Sequence, residues 1–170
     1  MWIDQITEHI PLKSLTAIKV VSLSEDYIHN EFNNNSNDIF PHVMPAPLMI
    51  EGCAQAGGLL VGSVNNFTEN VLLAKVRKAV FLKDVYAGET IRYNAKVETL
   101  HDEGAAIKAL IDKRSPSLNH WSEVGEASIV FSYANKETVK DLPSSNFVFD
   151  NNFGPMLLSL KKDVKESTLP

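Results

Sequence analysis

The run Met44–Val64, MPAPLMIEGCAQAGGLLVGSV, constrains this chain more than any other stretch. Apart from a serine near its end, its strongly polar side chains are Glu51 and Gln55. Apolar residues on every side, at helical length, predict a helix buried all round rather than a surface helix with one apolar stripe. Pro45 and Pro47 suit a first turn whose amides would lack partners anyway, and Asn65-Asn66 supply a stop. Glu51 and Gln55 are four apart, so they share one face about a turn apart. Burying a carboxylate is costly unless it is paired or protonated, which makes a lone acid in a core helix a candidate site. The competing reading is an acid satisfied by backbone amides or turned toward a wet subunit interface.

Around this helix the chain reads as strands. Trp2–Ile6 and Leu15–Val21 are short β-prone runs, and Ser24–Phe40 is a polar, asparagine-rich loop. Val71–Phe81 reads as a strand, and Tyr86–Gly88 as a turn. Glu89–Leu100 alternates, with Ile91, Tyr93, Ala95 and Val97 on one face and Arg92, Asn94, Lys96 and Glu98 on the other. Ala105–Asp112 repeats the pattern after a turn at Asp102–Gly104, and a last strand places Gly125, Ala127, Ile129, Phe131 and Tyr133 together. The class is α+β: short strands, one long helix, then meandering antiparallel strands. One helix is hidden on all sides only if the sheet curls around it and a second copy covers its open flank. The expected domain is 1–136, with 137–170 a linker and a short helical tail carrying Phe153, Met156, Leu157 and Leu160.

Charge narrows the function. At 170 residues and net charge −5, the chain lacks the basic balance that phosphate backbones require, so nucleic acid is not an expected partner. Glu51, Gln55 and the glycines argue against membrane insertion of the apolar run. MWIDQITEHI has no continuous apolar stretch, so a signal peptide is not expected and the cytoplasm is. The single Cys53 fits a buried thiol in a reducing compartment, and no zinc spacing exists.

MPAPLMIEGCAQAGG resembles the M-P-G-x-L-x-x-E-A-x-A-Q-A-x-G signature of the 3-hydroxyacyl-[acyl-carrier-protein] dehydratases, which have the hot-dog fold. The likeness extends upstream: Trp2–Ile6 is similar to the family's L-V-D-R-V, and Ala17-Ile18-Lys19 with SLSEDYIHNEF to A-x-K-x-V-x-x-N-E-x-F-F-x-G-H-F. Downstream, Ala74–Phe81 resembles A-x-x-x-x-A-x-F, and Val85–Glu89 resembles V-x-P-G-D. The match covers about residues 2–134. The resemblance implies a curved antiparallel sheet around a central helix, paired into a dimer with sites at the interface. It also implies removal of water from a 3-hydroxyacyl thioester carried on the phosphopantetheine arm of acyl carrier protein, with no cofactor of the enzyme's own. Glu51 matches the carboxylate that assists departure of the hydroxyl, Gln55 the amide following it, and Ala46 the glycine whose amide lies at the helix start.

The motif's histidine is not in register. It lies fourteen positions before the acid in the family, and here that position is Asn37. Alignment from the N-terminal side puts Glu31 there instead, with six extra residues in the asparagine-rich loop. His42, nine before Glu51 and tied to the helix start, is the candidate base, ahead of His29. Pro47 offers no amide for an oxyanion. Three readings follow: a dehydratase using Glu51 and His42, a non-catalytic acyl-binding subunit paired with an active homologue, and a thioesterase using Glu51 as general base. Lys75, Arg77, Lys78 and Lys83 form the basic cluster that could meet an acidic carrier.

Overall fold

The computed structural model describes residues 1–25 and 43–134. The strands are β1 (Gln5–Ile10), β2 (Ser14–Val20), β3 (Asn70–Phe81), β4 (Thr90–His101), β5 (Gly104–Arg114) and β6 (Ser122–Ala134). Helix α1 (Ala46–Gly62) lies between β2 and β3 and runs into a 3-10 turn, Ser63–Asn65. All pairings are antiparallel, in the order β1-β2-β4-β5-β6-β3. The helix follows β2 and precedes β3, yet those strands are separated by the whole β4-β5-β6 meander.

That order positions the helix. Its cylinder is about 10 Å across, whereas the distance from β2 to β3 along a flat sheet would be roughly 19 Å. Yet α1 packs against β2, β3, β4, β5 and β6, so the sheet must curl around it. The curl follows from side-chain alternation: Leu15, Ala17, Tyr93, Ala95, Ile107, Ala109, Ile111, Ala127 and Ile129 are all buried on the inner face. The predicted faces of β4 are those observed, with Ile91, Tyr93 and Ala95 fully buried and Val97 half-buried, beside a bulge between Val97 and Thr99. β1 runs past the predicted Trp2–Ile6 segment, through His9 to Ile10, because Leu12 turns the chain at φ 63° to begin the hairpin with β2.

The described residues cover the helix unevenly. Its C-terminal two-thirds are buried from Gly52 onward, save a half-buried Gln55, but Ala46, Pro47 and Glu51 are exposed and Leu48 and Ile50 half-buried. The described residues therefore leave one flank of the helix open, the flank that a second copy is expected to cover. β3 also carries exposed apolar side chains. Leu73 and Val76 pair with Phe131 and Ile129 and so occupy core-side positions, yet they are 49% and 36% exposed. β3 is the last strand of the sheet, so its other edge has no neighbour among the described residues. The expected tail, 137–170, and the asparagine-rich loop lie outside the described residues, apart from Ser24 and Glu25. Among the described residues no helix is long and apolar enough to cross a membrane.

Candidate active site

The site is built on the first turns of α1. The chain is fixed before the helix starts by a bridge between Val43 and Tyr86 and by Met44 N–H donating to the Val85 carbonyl (2.8 Å). Pro45 is the N-cap, without a side-chain hydrogen bond, and the first turn carries no acid. Pro45 and Pro47 have no amide hydrogen, and Leu48 N–H turns back to the Pro45 carbonyl (3.0 Å). That leaves the Ala46 N–H as the donor at the positive end of the helix dipole, with no acceptor among the described residues. An anion or a polarised carbonyl placed there would find one donor where a helix without proline would offer more.

Glu51 stands one and a half turns further on, with its carboxylate exposed. Gln55 Nε2 donates to Glu51 Oε1 (3.0 Å), as the shared face requires. The Gln55 Oε1 accepts from the Trp2 backbone N–H (2.8 Å), a contact that sequence spacing gave no means of anticipating. Cys53, on the opposite side of the helix, is fully buried, and burial pushes its thiol well above the ordinary range. It is a packing residue, as expected, and not a nucleophile.

No described histidine is seen to complete the site. His9 Nε2 lies 3.0 Å from Ser63 Oγ, twelve residues beyond Glu51 and roughly 18 Å along the helix axis. His101 lines a hollow with Val64, Asn65 and Tyr133, also at the C-terminal end of α1. His120 is exposed in the loop between β5 and β6. His42, His29, Glu31 and Asn37 lie outside the described residues. Of the expected cation cluster, Lys75, Arg77 and Lys83 are exposed, and Lys78 is engaged by Glu126 (3.0 Å), which also holds Lys108 (2.6 Å). Among the described residues no group of His, Cys, Asp and Glu could hold a metal ion.

A single curved antiparallel sheet around one apolar helix, with an acid and a donating amide on that helix's open flank, defines the hot-dog class. A solved dehydratase heterocomplex from Xenorhabdus doucetiae shares the fold, with a TM-score of 0.61 at 13% identity over 82% of this chain and 87% of that one. So does a hypothetical thioesterase with coenzyme A from Streptococcus pneumoniae TIGR4, at TM-score 0.57 and 11% identity, over 77% of this chain and 85% of that one. The FabA-like domain model matches residues 1–114, and the chain belongs to that family. A curated relative, the 3-hydroxyacyl-[acyl-carrier-protein] dehydratase FabZ of Clostridium tetani (strain Massachusetts / E88), is 33% identical over 132 residues, 76% of this chain and 83% of its own.

Proposed function

We propose that the protein is a dehydratase that removes water from a 3-hydroxyacyl thioester delivered on acyl carrier protein, leaving a trans-2-enoyl thioester. The observation that carries this reading is an exposed Glu51 on a helix buried from Gly52 onward save a half-buried Gln55, with an Ala46 amide that has no acceptor among the described residues about one and a half turns earlier. Ala46 N–H polarises the thioester carbonyl and acidifies the neighbouring carbon. A base takes a proton from that carbon, and Glu51 protonates the departing hydroxyl, so that one water leaves and one carbon–carbon double bond forms. His42, one residue before the Val43–Met44 anchor, is assigned as the base. Gln55 keeps Glu51 directed into the site rather than into bulk water.

The open flank supports a dimer. A second copy seated along the free edge of β3 would cover Leu73 and Val76 and remove from water the face on which Glu51 stands. The proposal places the reaction at that interface, with Lys75, Arg77 and Lys83 on β3 and just beyond it available to an acidic carrier protein.

A thioesterase reading is the alternative, since a carboxylate acting as general base for water needs no imidazole. Supplying 3-hydroxyacyl and trans-2-enoyl thioesters to the purified protein separates the two. Interconversion at the enoyl absorbance that vanishes in Glu51→Gln establishes dehydration; release of free thiol establishes hydrolysis. An intact, folded dimer showing neither reaction across several chain lengths would overturn both and leave a non-catalytic subunit.

A further inference from the structure

The hydrogen bonds around Gln55 contain more than a contact between two helix residues. A side-chain amide can present either its oxygen or its nitrogen, and an isolated glutamine beside a carboxylate could swing between rotamers. Here a backbone N–H, which can only donate, points at Gln55 from Trp2 (2.8 Å). The Gln55 oxygen must face Trp2, and its NH2 must face Glu51 Oε1 (3.0 Å). The other Glu51 oxygen, Oε2, receives nothing from Gln55.

Trp2 is itself held. Ile3 is fully buried. Asp4 N–H donates to the Ile18 carbonyl (2.8 Å), while Asp4 Oδ2 accepts from Val20 N–H (2.7 Å) and Oδ1 from Lys19 Nζ (3.1 Å). Lys19 is buried on the core side of β2 and also meets Glu25 (2.7 Å). Residues 2–4 are thus bolted to the end of β2 on one side and reach the helix on the other.

We propose that Trp2 and Gln55 are positioning residues: the Trp2 amide fixes the Gln55 side chain, which confines any proton on Glu51 to Oε2 and aims that oxygen at the reacting atoms. The inference rests on the reading of Glu51 as the proton donor. The geometric half, however, stands apart from it. With Gln55 Nε2 against Oε1, a proton on that oxygen would oppose an N–H, so the carboxyl hydrogen sits on the far oxygen. Reversal of the amide would put an acceptor against Oε1 and draw the proton there, away from substrate.

The first arm of the test is amide hydrogen exchange, followed by NMR in the full-length protein. Gln55→Ala should speed exchange at Trp2 by roughly tenfold, the loss of one hydrogen bond. The Asp4 amide, bonded to Ile18, serves as the control and should not change. Unchanged exchange at Trp2 overturns the relay. The second arm compares Trp2→Pro, which lacks the amide hydrogen, with Trp2→Ala, which keeps it. A kcat roughly tenfold lower for the proline variant, at similar KM, is expected; equal kcat overturns the positioning role. Should Trp2→Pro lose its cooperative melt, Gln55→Glu replaces it, since it keeps an acceptor for Trp2 but presents a second acceptor to Glu51. Retained protection at Trp2 with kcat lowered roughly tenfold supports the Gln55–Glu51 half of the relay, and unchanged kcat overturns the positioning role of Gln55. If the parent shows no turnover on any thioester, the reading of Glu51 fails by itself, and the exchange comparison decides the geometry.

Discussion

The two parts of the central helix make opposite demands on their neighbours. From Gly52 to Gly62 the helix is pressed into the curl of the sheet, and its small residues permit close approach. A β-carbon at Gly52 would overlap the ring and hydroxyl of Tyr93, and one at Gly57 would lie 3.0 Å from Ile107 and Phe131. From Ala46 to Glu51 the helix is exposed on one flank, carries an amide with no acceptor among the described residues and holds its acid in the open. The boundary falls between adjacent residues, Glu51 and Gly52. One element thus serves as core over its later turns and as open surface over its first.

Substitutions on the two sides of that boundary should therefore fail differently. The largest effect belongs to Glu51→Gln, which should lower dehydration by roughly 10²–10⁴-fold, with thermal melting and dimer intact in parallel scans. A charge on the uncovered side of β3, as in Val76→Asp, should weaken self-association by roughly tenfold or more without unfolding the chain. Light scattering across a dilution series reads this directly, and an unchanged mass would move the interface elsewhere. Gly52→Ala, one residue from the acid, should instead destabilise the fold by about 1–3 kcal/mol in denaturant unfolding. Adding Tyr93→Leu should return part of that loss, because the ring occupies the β-carbon's place. The smallest effect is at Lys19. Burial alone would lower its pKa, but hydrogen bonds and charge from Glu25 and Asp4 outweigh it and raise the ammonium above its ordinary 10.5. Its contribution is therefore complete below pH 10.5 and lost as pH rises beyond the folded value. Lys19→Met should cost about 1 kcal/mol at neutral pH, since both carboxylates keep solvent, and the gap should close in alkali.

Much of this was legible in residue order. Period-two alternation over Glu89–Leu100 and Ala105–Asp112 gave the inner faces of the strands observed at Thr90–His101 and Gly104–Arg114, because a half-buried strand cannot hide its period. The Glu51–Gln55 contact followed from helical spacing alone. What the residues could not show was which side of the helix remained open. A buried and an interfacial apolar run have the same composition, and only the strand order exposes Leu73 and Val76. The Trp2–Gln55 bond joins positions 53 residues apart through a backbone amide, so no residue type announces it. The base is a different matter: His42 was inferred from its distance to the helix start, and its place rests on chemistry rather than on any contact described above.

The strand order has a consequence for how the chain is made. Helix α1 is complete at Gly62, but β4, β5 and β6, which form most of the surface it is buried against, finish only at Ala134. At a synthesis rate of ~5–20 residues per second, an apolar segment waits roughly 4–15 s for its cover. At the start of that interval β2 is the described strand already available to shelter it, and β3 emerges before its partner β6 exists. The face of Gly52–Gly62 that later becomes core is the part of the helix most open to premature association, so yield on overexpression should be more sensitive to translation rate than the stability of the finished fold would suggest.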